Sequence, residues 1–264
     1  MSGPRIVGIG LFRDEDRFVE QAVRNVFGFC DELILVDHES RDRTPEILER
    51  LAAESPIPAT YHRIKHPSTS HDLIKEYAGQ DVWVLGVDGD ELYDPAGLAG
   101  FKPRLLAGEF DEWWLIRSNA LHVVELEAEK QIARGYMSPP SASVVKLHNF
   151  SLIESWDGVH PERLHGADGL RFRAGREGLK LDLGSCHSWD ESPLRCLHVC
   201  FLRRSSLDWV ERTRSSIRDR NAPARLPVRA WRRFRGAPPT WKLEHYRVGP
   251  ICEVSTTPFA VPKE

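Results

Sequence analysis

Residues 82–91 read Val-Trp-Val-Leu-Gly-Val-Asp-Gly-Asp-Glu, six apolar or small residues without a break and then two carboxylates separated by a glycine. An uninterrupted run of that length is how a strand buried on both faces is written, so Val82 to Val87 predicts a strand inside a parallel sheet. Asp88 and Asp90 then stand where the strand stops, and ligands of open α/β sheets bind in the crevice outside those ends. Two carboxylates suit a hard divalent cation such as Mn²⁺ or Mg²⁺, and Gly89 leaves room for a group to approach the backbone.

Upstream of this stretch the period alternates between two residues and three to four, the pattern of parallel strands joined by crossover helices. Arg5 to Leu11 predicts the first strand. Phe18, Val19, Ala22, Val23, Val26 and Phe27 share one helical face, with Asp14 as the expected cap. Glu32 to Val36 predicts a second strand ending at Asp37. A helix follows with Ile47, Leu48, Leu51 and Ala52 on one face, Asp42 as cap and Pro45 in its first turn. Ala59 to Ile64 predicts a third strand, and Ser70 to Gln80 a weaker helix. The fold class is α/β, a parallel sheet with helices on both faces. Asp37 and Asp88 are expected to face one pocket.

The rest of the chain is mixed. Strand patterns appear at Glu112 to Arg117, Leu121 to Leu126, Ser143 to Leu147 and Leu179 to Leu183, and a helical one at Ser206 to Arg218. The 264 residues carry a formal charge of −3, which argues against a dedicated nucleic-acid binder. Charge is unevenly spread: Phe201 to Arg235 holds eleven arginines and three acids, a surplus fitted to an anionic partner or a membrane surface. The longest apolar run, Ile6 to Phe12, has seven residues and Val82 to Val87 has six, with their glycines counted, far short of the roughly 20 that span a bilayer. No cationic region followed by an apolar stretch opens the chain, so a cytoplasmic address is expected, with peripheral membrane contact through the arginine-rich segment. Five cysteines, one of them in the apolar helix pattern at Cys30, do not read as a disulfide framework.

Leu11-Phe-Arg-Asp-Glu15, Val36-Asp37, Ser40-x-Asp42-x-Thr44 and Asp88-Gly-Asp-Glu91, in that order and spacing, resemble the inverting family 2 glycosyltransferases of the GT-A fold. Gly158-Val-His160-Pro-Glu162 and Cys196-Leu-His198 followed by Arg203-Arg204 are similar to looser features of the same group. The resemblance implies a Rossmann-like nucleotide-sugar-binding half over residues 1–100. An acceptor half over 101–264 completes one continuous GT-A domain. It also implies transfer of a sugar from a nucleoside diphosphate donor to an acceptor hydroxyl on a small molecule, glycan or lipid-linked acceptor.

By the same resemblance Asp37 binds the nucleobase edge and Leu11, Phe12, Arg13 and Glu15 line its pocket. Asp88 faces ribose or metal, Asp90 ligates Mn²⁺ or Mg²⁺, and His198 completes the metal site, with His187 as second choice. Arg203 and Arg204 hold the diphosphate. The base that takes the acceptor proton is Asp157 or Glu162, with Asp190 and Glu191 in reserve. A carboxylate can accept the ring N–H of uracil, which favours UDP. Residues 37–40 read Asp-His-Glu-Ser where the family usually has Asp-Asp-Gly-Ser, which leaves the base open. Three other readings compete: a non-catalytic nucleotide-sugar-binding module, a sugar nucleotidyltransferase, and a zinc site drawn from Cys186, His187, Cys196, His198 and Cys200. Trp156 and Trp189 are candidate acceptor platforms.

Overall fold

Alternating sequence periods produce alternating elements. The computed structural model describes residues 3–138, 145–156, 169–176, 178–208 and 245–261. The chain opens with β1 (Arg5–Phe12), α1 (Val19–Val26), β2 (Glu32–Asp37), α2 (Thr44–Glu54), β3 (Ala59–Arg63) and β4 (Val82–Val87). Between β3 and β4 the expected weak helix is two short 3-10 pieces, Pro67–Leu73 and Lys75–Tyr77. Asp14 does not cap α1. Phe18 holds the cap position without a side-chain bond, while Asp14, at a φ of 52°, turns its carboxylate to the Arg41 N–H at 2.7 Å. Four residues of chain separate Asp14 from the helix start, too far for the local bond a cap requires. Asp42 does not hold the cap position of α2 either: Arg43 does, without a side-chain bond, and Asp42, one residue earlier, accepts from the Thr44 N–H at 2.9 Å.

The chain continues with β5 (Glu91–Tyr93), α3 (Pro95–Leu106), β6 (Leu115–Arg117), β7 (Asn119–Glu127), β8 (Ile132–Met137) and β9 (Val145–Asn149). Then come β10 (Ile153–Trp156), β11 (Leu170–Phe172), β12 (Lys180–Asp182), α4 (Leu183–Cys186), β13 (Arg195–His198) and β14 (Ile251–Ser255). A seven-stranded sheet has the order β12-β6-β9-β4-β1-β2-β3, parallel from β4 to β3, with β9 antiparallel to both its neighbours. Strands from both sides of residue 100 share it. A five-stranded sheet of order β14-β8-β7-β13-β5 lies beyond.

The two faces of the large sheet are covered unequally. Val19, Val23 and Val26 of α1, Leu48 and Leu51 of α2, and Leu98, Phe101 and Leu105 of α3 pack on one face against Ile6, Leu33, Leu35, Trp83 and Leu85. The other face, with Val7, Ile9, Ile34, Val36, Val82 and Val84, is covered by Ile74 and Tyr77 from the 3-10 region and by Ile153 and Trp156 of β10. Strand residues alternate between the two faces, and both are apolar, which is why β4 reads as a continuous apolar run. Trp156 is 3% exposed and belongs to this core, so its ring is not an exposed acceptor platform. Among the described residues no helix is long and apolar enough to cross a membrane.

Candidate active site

The candidate site lies where three neighbouring strands end. β1 lies between β4 and β2, with Gly10 beside Val87 and Phe12 beside Asp37. Strand spacing places the tips of β2 and β4 about 10 Å apart, bridged by the loop that leaves β1. Hydrogen bonds knit that loop to β2's tip. Asp37 Oδ1 accepts from the Ser40 N–H at 3.1 Å, Ser40 Oγ accepts from the Asp14 N–H at 3.0 Å, and Thr44 Oγ1 accepts from the Glu15 N–H at 2.8 Å. Asp37 is fully buried; its Oδ2 has no hydrogen-bond partner and faces the Arg63 Nε at 3.3 Å. The Arg63 ion pair offsets the charge on that oxygen, which keeps lone-pair capacity for a further N–H.

At β4's tip the chain changes sheets. Val87 ends β4, Asp88-Gly-Asp90 turns, and Glu91 enters β5, which pairs with β13. The turn is fixed by the Glu91 N–H on the Asp88 carbonyl at 3.1 Å and the Val199 N–H on the Asp90 carbonyl at 2.8 Å. Asp88 is half-buried and Asp90 buried. Arg204, itself 8% exposed, donates through Nη1 to Asp90 Oδ2 and to Glu15 Oε1 at 3.2 Å. Burial works against the Arg204 charge, but Asp90 and Glu15 outweigh it and raise its pKa. The β1 loop and the β4 turn therefore share one buried cation.

Gly89 is where the two loops come closest. A Cβ there would stand 2.5 Å from Glu15 Oε2. Glu15 is held by Arg204 and cannot swing away without losing that pair, so Gly89→Ala is expected to cost about 1–3 kcal/mol. Urea denaturation checks this, and an unchanged midpoint would mean that Glu15 yields freely.

Residues 204–208 are sewn onto the same loops. Ser205 Oγ donates to Asp42 Oδ2 at 2.5 Å, and Ser206 donates to Asp16 through its N–H at 2.7 Å and its hydroxyl at 2.6 Å. Burial pushes the Asp42 pKa up, but its bonds from Ser205 and Thr44 outweigh this and hold it below the ordinary 3.8. A depressed carboxylate pKa contributes stability above the unfolded value and loses it as pH falls through the folded one. Docking of 204–208 is therefore expected to weaken below about pH 4. Amide exchange at Ser205 and Ser206 reads this, and protection unchanged at pH 3 would contradict it.

His198 lies beside Asp90, its Nε2 3.6 Å from Oδ2. On its other side, Nδ1 meets the Nδ1 of His122 at 2.9 Å, a contact that needs one ring to donate and the other to accept. Burial alone would lower the His198 pKa, but Cys200 and Asp90 raise it to about 10. His122 was invisible to sequence reading because it sits 76 residues from His198. Only the parallel register of β7 and β13, which pairs the two positions, brings them together.

Of the other expected site residues, Leu11 is half-buried and Arg13 exposed, while the Phe12 ring is fully buried in the helix-side core and its carbonyl accepts from the His38 N–H at 2.9 Å. Arg203 is half-buried and its Nε has no hydrogen-bond partner. Asp157, His160 and Glu162 lie outside the described residues, as do residues 209–235 of the arginine-rich segment. Asp190 is exposed and pairs with Arg195 at 3.1 Å, Glu191 is exposed and bonded to Ser188, and Trp189 packs on Phe259. Ligand atoms of Asp88, Asp90 and His198 do not all close to within 4.8 Å. Among the described residues His122, His198 and Cys200 do.

No family model matches the chain, and no curated protein does. Solved structures similar to it include residues 1–349 of S. aureus TarS in complex with UDP, with 16% identity and a TM-score of 0.38 over 56% of this chain and 47% of that one. Another is the Mycobacterium tuberculosis glucosyl-3-phosphoglycerate synthase with Mn²⁺, UDP and glucosyl-3-phosphoglycerate, at 20% identity and a TM-score of 0.33 over 45% and 44%. A third is the inositol-1-phosphate CTP transferase from T. maritima, at 13% identity and a TM-score of 0.42 over 78% and 91%. The chain thus spans less than half the length of the first two. It is an α/β protein with a parallel-rich sheet.

Proposed function

We propose that this chain is a cation-assisted inverting glycosyltransferase that moves a sugar from a uridine diphosphate donor to an acceptor hydroxyl. The observation that carries this reading is the buried Asp37 carboxylate at the tip of β2, with one oxygen lacking a hydrogen-bond partner, two strands from the Asp-Gly-Asp turn. Oδ1 already accepts from the Ser40 N–H, and Oδ2 is the oxygen that a base N–H would meet. A single acceptor matches the lone ring N–H of uracil; guanine presents two adjacent donors and would leave one unmet. Arg63, half-exposed, must share or yield Oδ2 as the base enters.

The donor set at β4 fits a hard divalent cation, two carboxylates to which a diphosphate adds further oxygens. Asp88 and Asp90 would hold it, and when bound it supplies charge stabilisation to the departing diphosphate. Arg204 already neutralises part of Asp90, and the unsatisfied Nε of Arg203 offers a donor to phosphate oxygen. In the reaction the acceptor oxygen bonds to the anomeric carbon as the bond to the diphosphate breaks, and the hydroxyl proton passes to a carboxylate. Asp157 and Glu162 are proposed for that role, ahead of the exposed Asp190 and Glu191. The loop leaving β1 reads Arg13-Asp14-Glu15-Asp16, without the glycine-rich, basic phosphate-binding signature that nucleotidyl transfer calls for, and this supports sugar transfer over nucleotidyl transfer.

The test is binding of nucleoside diphosphates in Mn²⁺, by calorimetry. UDP is expected to bind about 10- to 100-fold tighter than GDP, and Asp37→Ala to erase the difference. Equal binding of the two, or selectivity surviving in Asp37→Ala, would overturn the base assignment. Release of free sugar or transfer from a UDP-sugar then tests turnover.

A further inference from the structure

His122, His198 and Cys200 gather behind the Asp88–Asp90 turn. All three are buried, and one ligand atom from each lies within 4.8 Å of the others. The fold explains the gathering. β13 runs parallel to β7 with His198 opposite His122, so both rings project from the same face of the sheet. Cys200, two residues past the end of β13, brings its ligand atom within 4.8 Å of both imidazoles. The other cysteines and the histidine that local spacing suggested are not part of this cluster. Cys196 lies opposite Tyr93 and Ala120 in the helix-side core, with its Sγ 3.9 Å from Ser118 Oγ, and Cys186 is exposed on α4.

We infer that His122, His198 and Cys200 form a binding site for a borderline-soft divalent metal of the zinc class, separate from the hard cation proposed at Asp88 and Asp90. A thiolate with two imidazoles is a zinc-type donor set, whereas Mg²⁺ takes oxygen. Tetrahedral zinc puts two ligating nitrogens about 3.3 Å apart. The two Nδ1 atoms stand at 2.9 Å, so the rings need to part by only about 0.4 Å to admit the ion. The surroundings fit the same reading. With Nδ1 of His198 turned to the metal, its Nε2 faces Asp90 Oδ2 at 3.6 Å, the carboxylate–histidine–metal arrangement that orients ligating imidazoles. Tyr246 stacks on the His122 ring at 4.1 Å and meets His198 edge-on at 5.4 Å, shielding one side. Bound there, the metal clamps the end of β13 to β7. Because the Val199 N–H holds the Asp90 carbonyl, it also stiffens the turn that carries both carboxylates.

The full chain, stripped with a chelator and kept in millimolar Mg²⁺ to fill the carboxylate pair, is titrated with Co²⁺ and Zn²⁺. One equivalent of Co²⁺ is expected to give a thiolate charge-transfer band and tetrahedral ligand-field bands, both displaced by Zn²⁺. Cys200→Ser should remove the charge-transfer band and His122→Gln weaken binding by at least about 100-fold, while Cys186→Ser leaves the spectrum unchanged. Absence of the band in the wild-type chain, or its survival in Cys200→Ser, would overturn the assignment. If the variants do not fold, the wild type still decides. Its urea midpoint should rise with stoichiometric Zn²⁺ and not with additional Mg²⁺, and no rise would count against the site. None of these readouts depends on sugar transfer, so failure here and failure of the transferase reading are separable.

Discussion

Asp90→Asn is expected to lower kcat about a thousandfold or more while the chain still folds. The carboxylate stands at the β4 tip where the cation and diphosphate are proposed to meet. Removing it withdraws several kcal/mol of stabilisation from the leaving group, and about 4 kcal/mol is a thousandfold in rate. Folding should survive because Arg204 keeps Glu15 at 3.2 Å as a counter-ion and the Asp90 backbone bond to Val199 is untouched. Steady-state transfer from a UDP-sugar, with circular dichroism as the check on folding, measures both halves. Turnover near the wild-type rate in a folded variant would remove Asp90 from the mechanism.

Arg204→Met is expected to produce the largest loss of stability, about 3–5 kcal/mol, because it leaves two buried carboxylates, Asp90 and Glu15, without their shared cation. The desolvation cost of the two buried carboxylates, which His198 beside Asp90 offsets only in part, sets that size more than the lost attraction does. Urea denaturation reads it directly. Adding Glu15→Gln and Asp90→Asn to Arg204→Met should recover part of the loss, since neutral side chains need no counter-ion. A loss under about 1 kcal/mol in the single variant, or no recovery in the triple one, would mean the network is solvated and not buried as described.

The first six elements before the Asp-Gly-Asp turn were legible because their signals are local. β1, β2 and β4 are apolar runs ended by polar residues, and α1 and α2 repeat apolar residues at helical spacing. Beyond residue 90 the signals weaken. α3 carries Asp94 as a cap, accepting from the Ala96 and Gly97 N–H groups at 3.0 and 3.2 Å, and Pro95 in its first turn, a recognisable helix start. Gly97, Gly100 and Pro103 inside it hide the rest. β5, β13 and β14 are three to five residues long and stand only because neighbours pair with them. β9 was expected as a strand, but nothing local says that it inserts antiparallel between β4 and β6.

The sequence by itself determined the parallel α/β frame and set Asp37, Asp88 and Asp90 at strand ends, because strand period and strand termination are written in adjacent residues. Only the tertiary structure decided what those acids meet. Arg204 lies 114 residues from Asp90 and 189 from Glu15, and His122 lies 76 from His198; register and chain path bring them together. Contacts of that separation depend on how sheets pair, and no local spacing encodes the pairing.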